Sequence, residues 1–414
     1  MTRPSAYRVY LWLAGASGFF FWTWAALGAL YRIREVGLNP LQLVLVGTAL
    51  EVSAFVFEIP TGVVADTISR RLSIIVGTAI MGAGFVLEGS VPHLGAVLAA
   101  QVIWGLGFTF TSGATEAWLA DELGDDVATT RALLRGTQVR QLASLAGIGA
   151  AVALASVHLR VPLIVGGLGL LATAAALSLF MPENGFHRIP SSERDTWSGM
   201  RATFVHGVGV VRGRGVFIAI FGAAFFFGAF SETFDRLWEA LILAEFEFPS
   251  FPDWSAVVWF GVIDAAAMLL SFLVAGSVRK RIDAGAVVHI PSALALIALV
   301  LSLTVAGLGL TGFFFAAVGL YQAAVLLRVL HGPLLAAWLN EQLESRSRAT
   351  VLSMHSQSDA AGQIGGGPVL GWVATSISLA VAFVIASFLL LPAVALYGWA
   401  ALREGRERRA LPPE

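Results

Sequence analysis

The chain has 414 residues, of which 57% are hydrophobic and 13% charged, against about 25% charged in an ordinary soluble domain, which excludes most soluble enzyme classes. Its net charge of −1, from 26 basic and 27 acidic residues, lacks the basic excess that a nucleic-acid partner demands. The absence of cysteine removes disulfides, zinc-thiolate sites and thiol nucleophiles.

An all-α membrane protein fits the composition, because a spanning helix takes about 20 apolar residues and twelve such helices nearly fill the chain. Met1 to Tyr10 runs into an apolar stretch without a small-residue cleavage site, so that stretch is expected to stay as the first span. Apolar runs follow at about 10–31, 41–65, 72–91, 95–119, 137–157 and 161–181, then at about 216–238, 255–278, 286–306, 312–337, 351–376 and 379–402. The organisation expected is a six-helix bundle over 1–181, a cytoplasmic linker over 182–215, a second bundle over 216–402 and a tail over 403–414. Within the linker Trp197, Met200, Phe204, Val208 and Val211 recur at helical steps beside Arg194, Arg201, Arg212 and Arg214, the pattern of an amphipathic helix in the membrane interface.

Basic residues orient the spans, since cytoplasmic loops hold their excess. With the N-terminus inside, 21 of the 26 fall in cytoplasmic segments, Arg32, Arg34 and Arg160 fall in outer loops, and Arg236 and Arg328 fall within spans. Both termini are therefore expected on the cytoplasmic side of a cell (inner) membrane. An internal repeat accompanies this topology. Ala117-Trp118-Leu119-Ala120-Asp121-Glu122-Leu123 closes span 4, and Ala337-Trp338-Leu339-Asn340-Glu341-Gln342-Leu343 closes span 10, with four of seven residues identical. Such weak internal similarity is expected of a transporter built from two fused six-helix units.

Between spans 2 and 3 the chain reads Glu58-Ile-Pro-Thr-Gly62-Val-Val-Ala-Asp66-Thr-Ile-Ser-Arg70-Arg71. Gly62 is expected to permit close helix approach, and the paired arginines give a tight cytoplasmic turn its charge. On this motif, the twelve spans and the central linker, the chain resembles the major facilitator superfamily. The resemblance implies two six-helix bundles related by pseudo-two-fold symmetry and a cytoplasmic gate. In that gate Asp66 faces the start of span 11 near Thr350 to Met354, and Arg70 or Arg71 pairs with Asp121 or Glu122. The chain also departs from the proton-linked exporters of the family. Span 4, Gln101-Val-Ile-Trp-Gly105-Leu-Gly107, has no arginine, and span 5 offers Ala146-Gly147-Ile148-Gly149 in place of a Gly-Pro motif. A Gly-Pro run, Gly365-Gly366-Gly367-Pro368, stands in span 11 instead.

An ionisable group inside a span is costly, so each is a functional candidate. Glu51, Glu58, Gly62 and Asp66 share one helical face, and Asp264 in span 8 stands at a depth like that of Glu51. Glu51, Asp264, Glu58 and Asp359 are the proton-coupling candidates. Span 7 holds Glu232, Asp235, Arg236 and Glu239 toward its outer end, at spacings that place them on one face with Arg236 pairing to Glu232 or Glu239. Since family resemblance places spans 1, 4, 7 and 10 around the central cavity, Arg328, with His331 one turn on, is the candidate anion-binding or counter-charge residue, and Glu232 or Asp235 its partner. Trp22 and Trp24, in the run Phe19-Phe20-Phe21-Trp22-Thr23-Trp24, are candidate cavity walls for apolar cargo.

No nucleotide-binding loop, metal-ligand cluster or nucleophile–base pair is visible. The reading is a secondary transporter rather than an enzyme, without a cofactor or metal, working by alternating access as a monomer in the lipid bilayer. Its expected partners are protons and a small molecule, with export of a hydrophobic or amphipathic compound as first choice. Uptake of a polar or anionic solute, lipid or lysolipid translocation, and a non-transporting membrane sensor are the alternatives.

Overall fold

The computed structural model describes residues 5–186, 215–250, 254–283, 289–342 and 348–410. The expected linker helix, with its arginines and Trp197 to Val211, lies outside them. All fifteen helical segments of the described residues are α-helices, and no strand occurs among these residues. The first eight are α1 (Ala6–Ala25), α2 (Gly28–Arg34), α3 (Pro40–Thr67), α4 (Arg70–Ser90), α5 (Leu94–Thr111), α6 (Ala114–Leu123), α7 (Asp126–Ala155) and α8 (Arg160–Phe180). The rest are α9 (Gly215–Glu245), α10 (Ala256–Asp283), α11 (Ile290–Leu310), α12 (Phe314–Gln342), α13 (Arg348–Ser376), α14 (Leu379–Phe388) and α15 (Leu391–Ala410). Among the described residues, eleven rods are long and apolar enough to cross a membrane. The segment expected as span 11 is α13, which is long enough but carries His355, Gln357, Asp359 and Gln363 along its length.

Three expected spans are interrupted. Span 1 breaks at Ala26 and Leu27, span 4 at Ser112 and Gly113, and span 12 at Leu389 and Leu390. The second break depends on Gly113, whose φ of 70° suits a residue without Cβ. Span 5 begins eleven residues earlier than its apolar run, because the Asp125 carboxylate accepts hydrogen bonds from the Val127 and Ala128 amides and caps α7, satisfying donors that a helix start leaves open. The Gly62-to-Asp66 stretch is helical and belongs to α3, and the turn before α4 is only Ile68 and Ser69.

Packing divides the chain into a first unit, Met1–Arg194 with Ser250–Ala265, and a second, Asp195–Pro249 with Ala266–Glu414. In the first unit α1 packs along α7 and α8, and α4 along α5 and α8. In the second, α9 packs along α13 and α15, and α11 along α12, α14 and α15. The same partners thus recur six spans later.

Glycine makes the tightest of these contacts possible. A Cβ at Gly147 of α7 would lie against the Phe19 carbonyl and 3.2 Å from the Thr23 amide of α1. In the second unit Gly362 of α13 stands against the Phe225 carbonyl of α9, and Gly228 of α9 against the Asp359 carbonyl. Gly62 has no such role, since a Cβ there would meet nothing within 4 Å. The repeated tryptophans also act alike. Trp118 and Trp338 are fully buried; the Trp118 indole donates to the Pro182 carbonyl at 2.8 Å and the Trp338 indole to Glu404 at 2.9 Å. Each ties the end of its unit's fourth span to the end of the sixth.

Valine at Gly147 or Gly362 forces two backbones apart, at a cost of about 1–3 kcal/mol or more. Alanine at Gly62 is expected to be neutral or to stabilise α3 by up to about 1 kcal/mol through helix propensity. Unfolding midpoints in detergent separate the two outcomes, and equal losses at all three positions contradict the glycine contacts described.

Candidate functional site: two polar cavities and two charge clusters

The turn between α3 and α4 carries the first cluster. Ser69 caps α4, accepting from the Leu72 amide at 2.9 Å, and donates to Glu183 at 2.7 Å. Glu183 also accepts from the Arg71 amide at 2.9 Å, so a carboxylate stands at the positive end of the α4 dipole. Arg70 pairs with Asp121, reaches Asp66 at 3.5 Å and donates to the Ala117 carbonyl at 3.0 Å. Of the expected pairings, Arg70 with Asp121 forms. Arg71 instead donates to the Ser178 carbonyl at 2.5 Å, and Glu122 accepts from the Asn184 and Gly185 amides. Glu183, absent from the sequence expectation, organises this end because the segment after α8 folds back against α4.

At the other end of α4 is a buried cluster that the sequence did not reveal. Glu88 is 0% exposed and accepts from Arg32 Nε at 2.7 Å and from Gln101 Nε2 at 3.1 Å. Tyr31 donates to the Glu88 carbonyl at 2.7 Å. Arg32, expected in a solvent-facing loop, is buried within α2, where a guanidinium needs the carboxylate as partner. Trp24 belongs to the same core. Its ring stacks on Phe85 at 4.0 Å with the Arg32 guanidinium 5.5 Å above, so its expected place in a cavity wall is corrected.

Trp22 does line a cavity. In the first unit a space of about 570 Å³ is bounded by Tyr10, Phe21, Trp22, Trp104 and Phe108, by Ser112, Gly113 and Thr115 at the α5–α6 break, and by Glu116, Arg140 and Ser144. Glu116 and Arg140 were not among the sequence candidates. Arg140 counts there as a loop arginine, since the apolar run that marks span 5 starts only at about 137, whereas α7 starts at Asp126.

The second unit has a cavity of about 460 Å³ lined by Phe227, Arg328, His331, Leu335, His355 and Asp359, among others. Arg328 of α12 and Asp235 of α9 form a two-pronged pair at 2.5 and 2.7 Å, the geometry that suits guanidinium and carboxylate. The Phe234 ring lies 5.2 Å from the same guanidinium. Asp235 is therefore set apart from the expected one-face cluster on span 7: Arg236 pairs with Glu232 at 3.2 Å, while Asp235, 100° round the helix, reaches α12. His331 stacks on Phe227 at 4.4 Å and its Nε2 lies 3.1 Å from the Tyr397 hydroxyl. Asp359 accepts from Gln363 at 2.8 Å.

Of the remaining candidates, Asp264 is 9% exposed, Glu51 is half-buried and Glu58 exposed. Neither Glu51, Glu58 nor Asp264 lines either of these cavities.

No protein-family model matches the chain. It is 23% identical over 367 residues to the uncharacterized MFS-type transporter YxaM of Bacillus subtilis (strain 168), a match covering 86% of each chain. Among solved structures, a variant of the nucleoside transporter NupG aligns with a TM-score of 0.79 at 14% identity, over 96% of this chain and 100% of that one. A variant of the peptide transporter POT aligns at 0.77 and 14% identity, over 97% and 95%. A bacterial homolog of the human lysosomal transporter Spinster, inward-facing and occupied, aligns at 0.75 and 15% identity, over 97% and 98%. The chain shares the fold of these transporters and is similar in sequence to an MFS-type transporter. That shared fold accounts for the recurring packing partners of the two units.

Arg32→Met is expected to leave Glu88 as an unpaired buried carboxylate and to cost about 3–5 kcal/mol, read as a lower unfolding midpoint in detergent. Arg32→Met combined with Glu88→Leu should recover most of it. A single variant that melts with the unaltered chain contradicts the assignment.

Proposed function

We propose that this chain is a proton-coupled secondary transporter of the major facilitator type that exports an amphipathic small molecule by alternating access. The observation that carries the reading is the first-unit cavity, where aromatic rings and opposite charges line one space of about 570 Å³, within the range of about 300–1,000 Å³ usual for small-molecule sites. The second-unit cavity supports the coupling. Asp359, His331 and His355 line it beside the Asp235–Arg328 pair, and a carboxylate that exchanges its cationic partner for a proton is the element a proton-driven cycle uses. Outward direction rests on the aromatic first span and the membrane acids.

One observation favours a second reading, uptake of an anionic solute: Arg328 lines the second cavity. The pair with Asp235 already neutralises it, so an incoming anion has to displace a carboxylate held by two hydrogen bonds.

Proteoliposomes with an imposed pH gradient and an internal pH reporter test the proposal against a panel of amphipathic and hydrophilic compounds. Compound-dependent proton flux is expected, and Asp359→Asn and Asp235→Asn are expected to reduce it by tenfold or more, about 1.4 kcal/mol or more in the barrier. Glu51→Gln and Asp264→Asn test two further coupling candidates, and unchanged flux in either removes it from the coupling path. Transport confined to uptake of small hydrophilic solutes overturns the export assignment.

The Arg70, Asp66 and Asp121 cluster is proposed as a gate at the α3–α4 end. Asp66→Asn is expected to change the rate at which an introduced cysteine beside α6 reacts with an aqueous thiol reagent, and an identical rate speaks against the gate.

A further inference from the structure

The first-unit cavity holds two opposite charges on separate helices. Glu116 stands in the first turn of α6, just beyond the break at Ser112 and Gly113, and Arg140 stands midway along α7. Among the described residues neither side chain makes a hydrogen bond or an ion pair, and the only hydrogen bond involving Arg140 there outside the α7 backbone is accepted by its carbonyl from Ser144. Both lie within electrostatic reach of the Tyr10 hydroxyl. Arg140 is seated by α1: a Cβ at Gly18 would lie 3.0 Å from its Cγ, so its stem runs over a glycine that leaves room for nothing larger. Trp22 and Trp104 add flat apolar surface to the same space.

A ligand with one charge satisfies one of these groups and strips water from the other without replacing it, which is costly. A ligand with both charges replaces that water with two charge-assisted hydrogen bonds. We infer that, given the transport reading above, the cargo is a zwitterion with a flat apolar body, whose ammonium group faces Glu116, whose carboxylate faces Arg140 and whose body lies against Trp22 and Trp104. The inference names a substrate class and deepens the amphipathic cargo proposed above.

Equilibrium binding to the purified full chain in lipid nanodiscs tests it with three probes that share one ring system: 3-(2-naphthyl)alanine, 2-(2-naphthyl)ethylamine and 3-(2-naphthyl)propionate. The amino acid is expected to bind at least about tenfold more tightly than either singly charged probe, the ratio set by one added charge-assisted contact. Glu116→Gln should abolish its advantage over the propionate while keeping that over the amine. Arg140→Gln should do the converse. Equal binding of the three probes, no binding of any, or variants that leave the order unchanged overturn the inference. The order on the unaltered chain decides it even where a variant does not fold. Because no gradient is present, failure here leaves proton-driven export standing, and absence of driven flux in proteoliposomes leaves the binding order standing.

Discussion

Within hydrocarbon, a helix gains little by burying apolar side chains against another helix instead of lipid, so association rests on close backbone contact and on polar groups that find partners. Both units obey this constraint in the same way. The α1–α7 contact passes through Gly147 and Gly18, and the α9–α13 contact through Gly228 and Gly362. These are spans 1 with 5 and 7 with 11, and they carry the side chains that face the cavities. Phe21, Trp22 and Arg140 come from the first pair; Phe227, His355 and Asp359 come from the second.

Several of the charges have a partner close by. Glu88 is met by Arg32 and Gln101, Asp235 by Arg328, and Glu232 by Arg236. The first of these joins α2, α4 and α5 and is sealed under Trp24 and Phe85, which makes it an anchor. The second joins α9 to α12 at the rim of a cavity and stays 46% exposed at the Asp235 side chain. The two pairs thus differ in burial.

The helix breaks fit the same account. Backbone groups released from a helix need other partners, so irregular backbone at membrane depth is confined to protein interiors and cavities. Ser112 and Gly113 lie in a cavity wall, and the break turns α6 so that Glu116 reaches the space from the end of span 4. The polar character of α13 has a similar basis: its His355 and Asp359 face a cavity while Gly362 and Gly366 pack on α9.

Much was legible from the sequence because it depends on local periodicity and composition. Twelve apolar runs, two sets of six and the Trp118 and Trp338 repeat follow from the spacing of residue types, and resemblance narrowed the gate pairing to Arg70 or Arg71 with Asp121 or Glu122. Which of several acids meets which base was not legible. Arg32 reads as a loop residue and Glu88 as an unremarked acid at a span end, although the pair is buried, because 56 residues separate them. Trp22 and Trp24 are indistinguishable as letters two apart, but 200° of helical rotation sends one to a cavity and the other to the core. The sequence by itself determined the class of molecule, since apolar length dictates spans. Only the tertiary structure decided where its polar groups gather, because in a low-dielectric interior each charge is placed by contacts with residues distant in the chain.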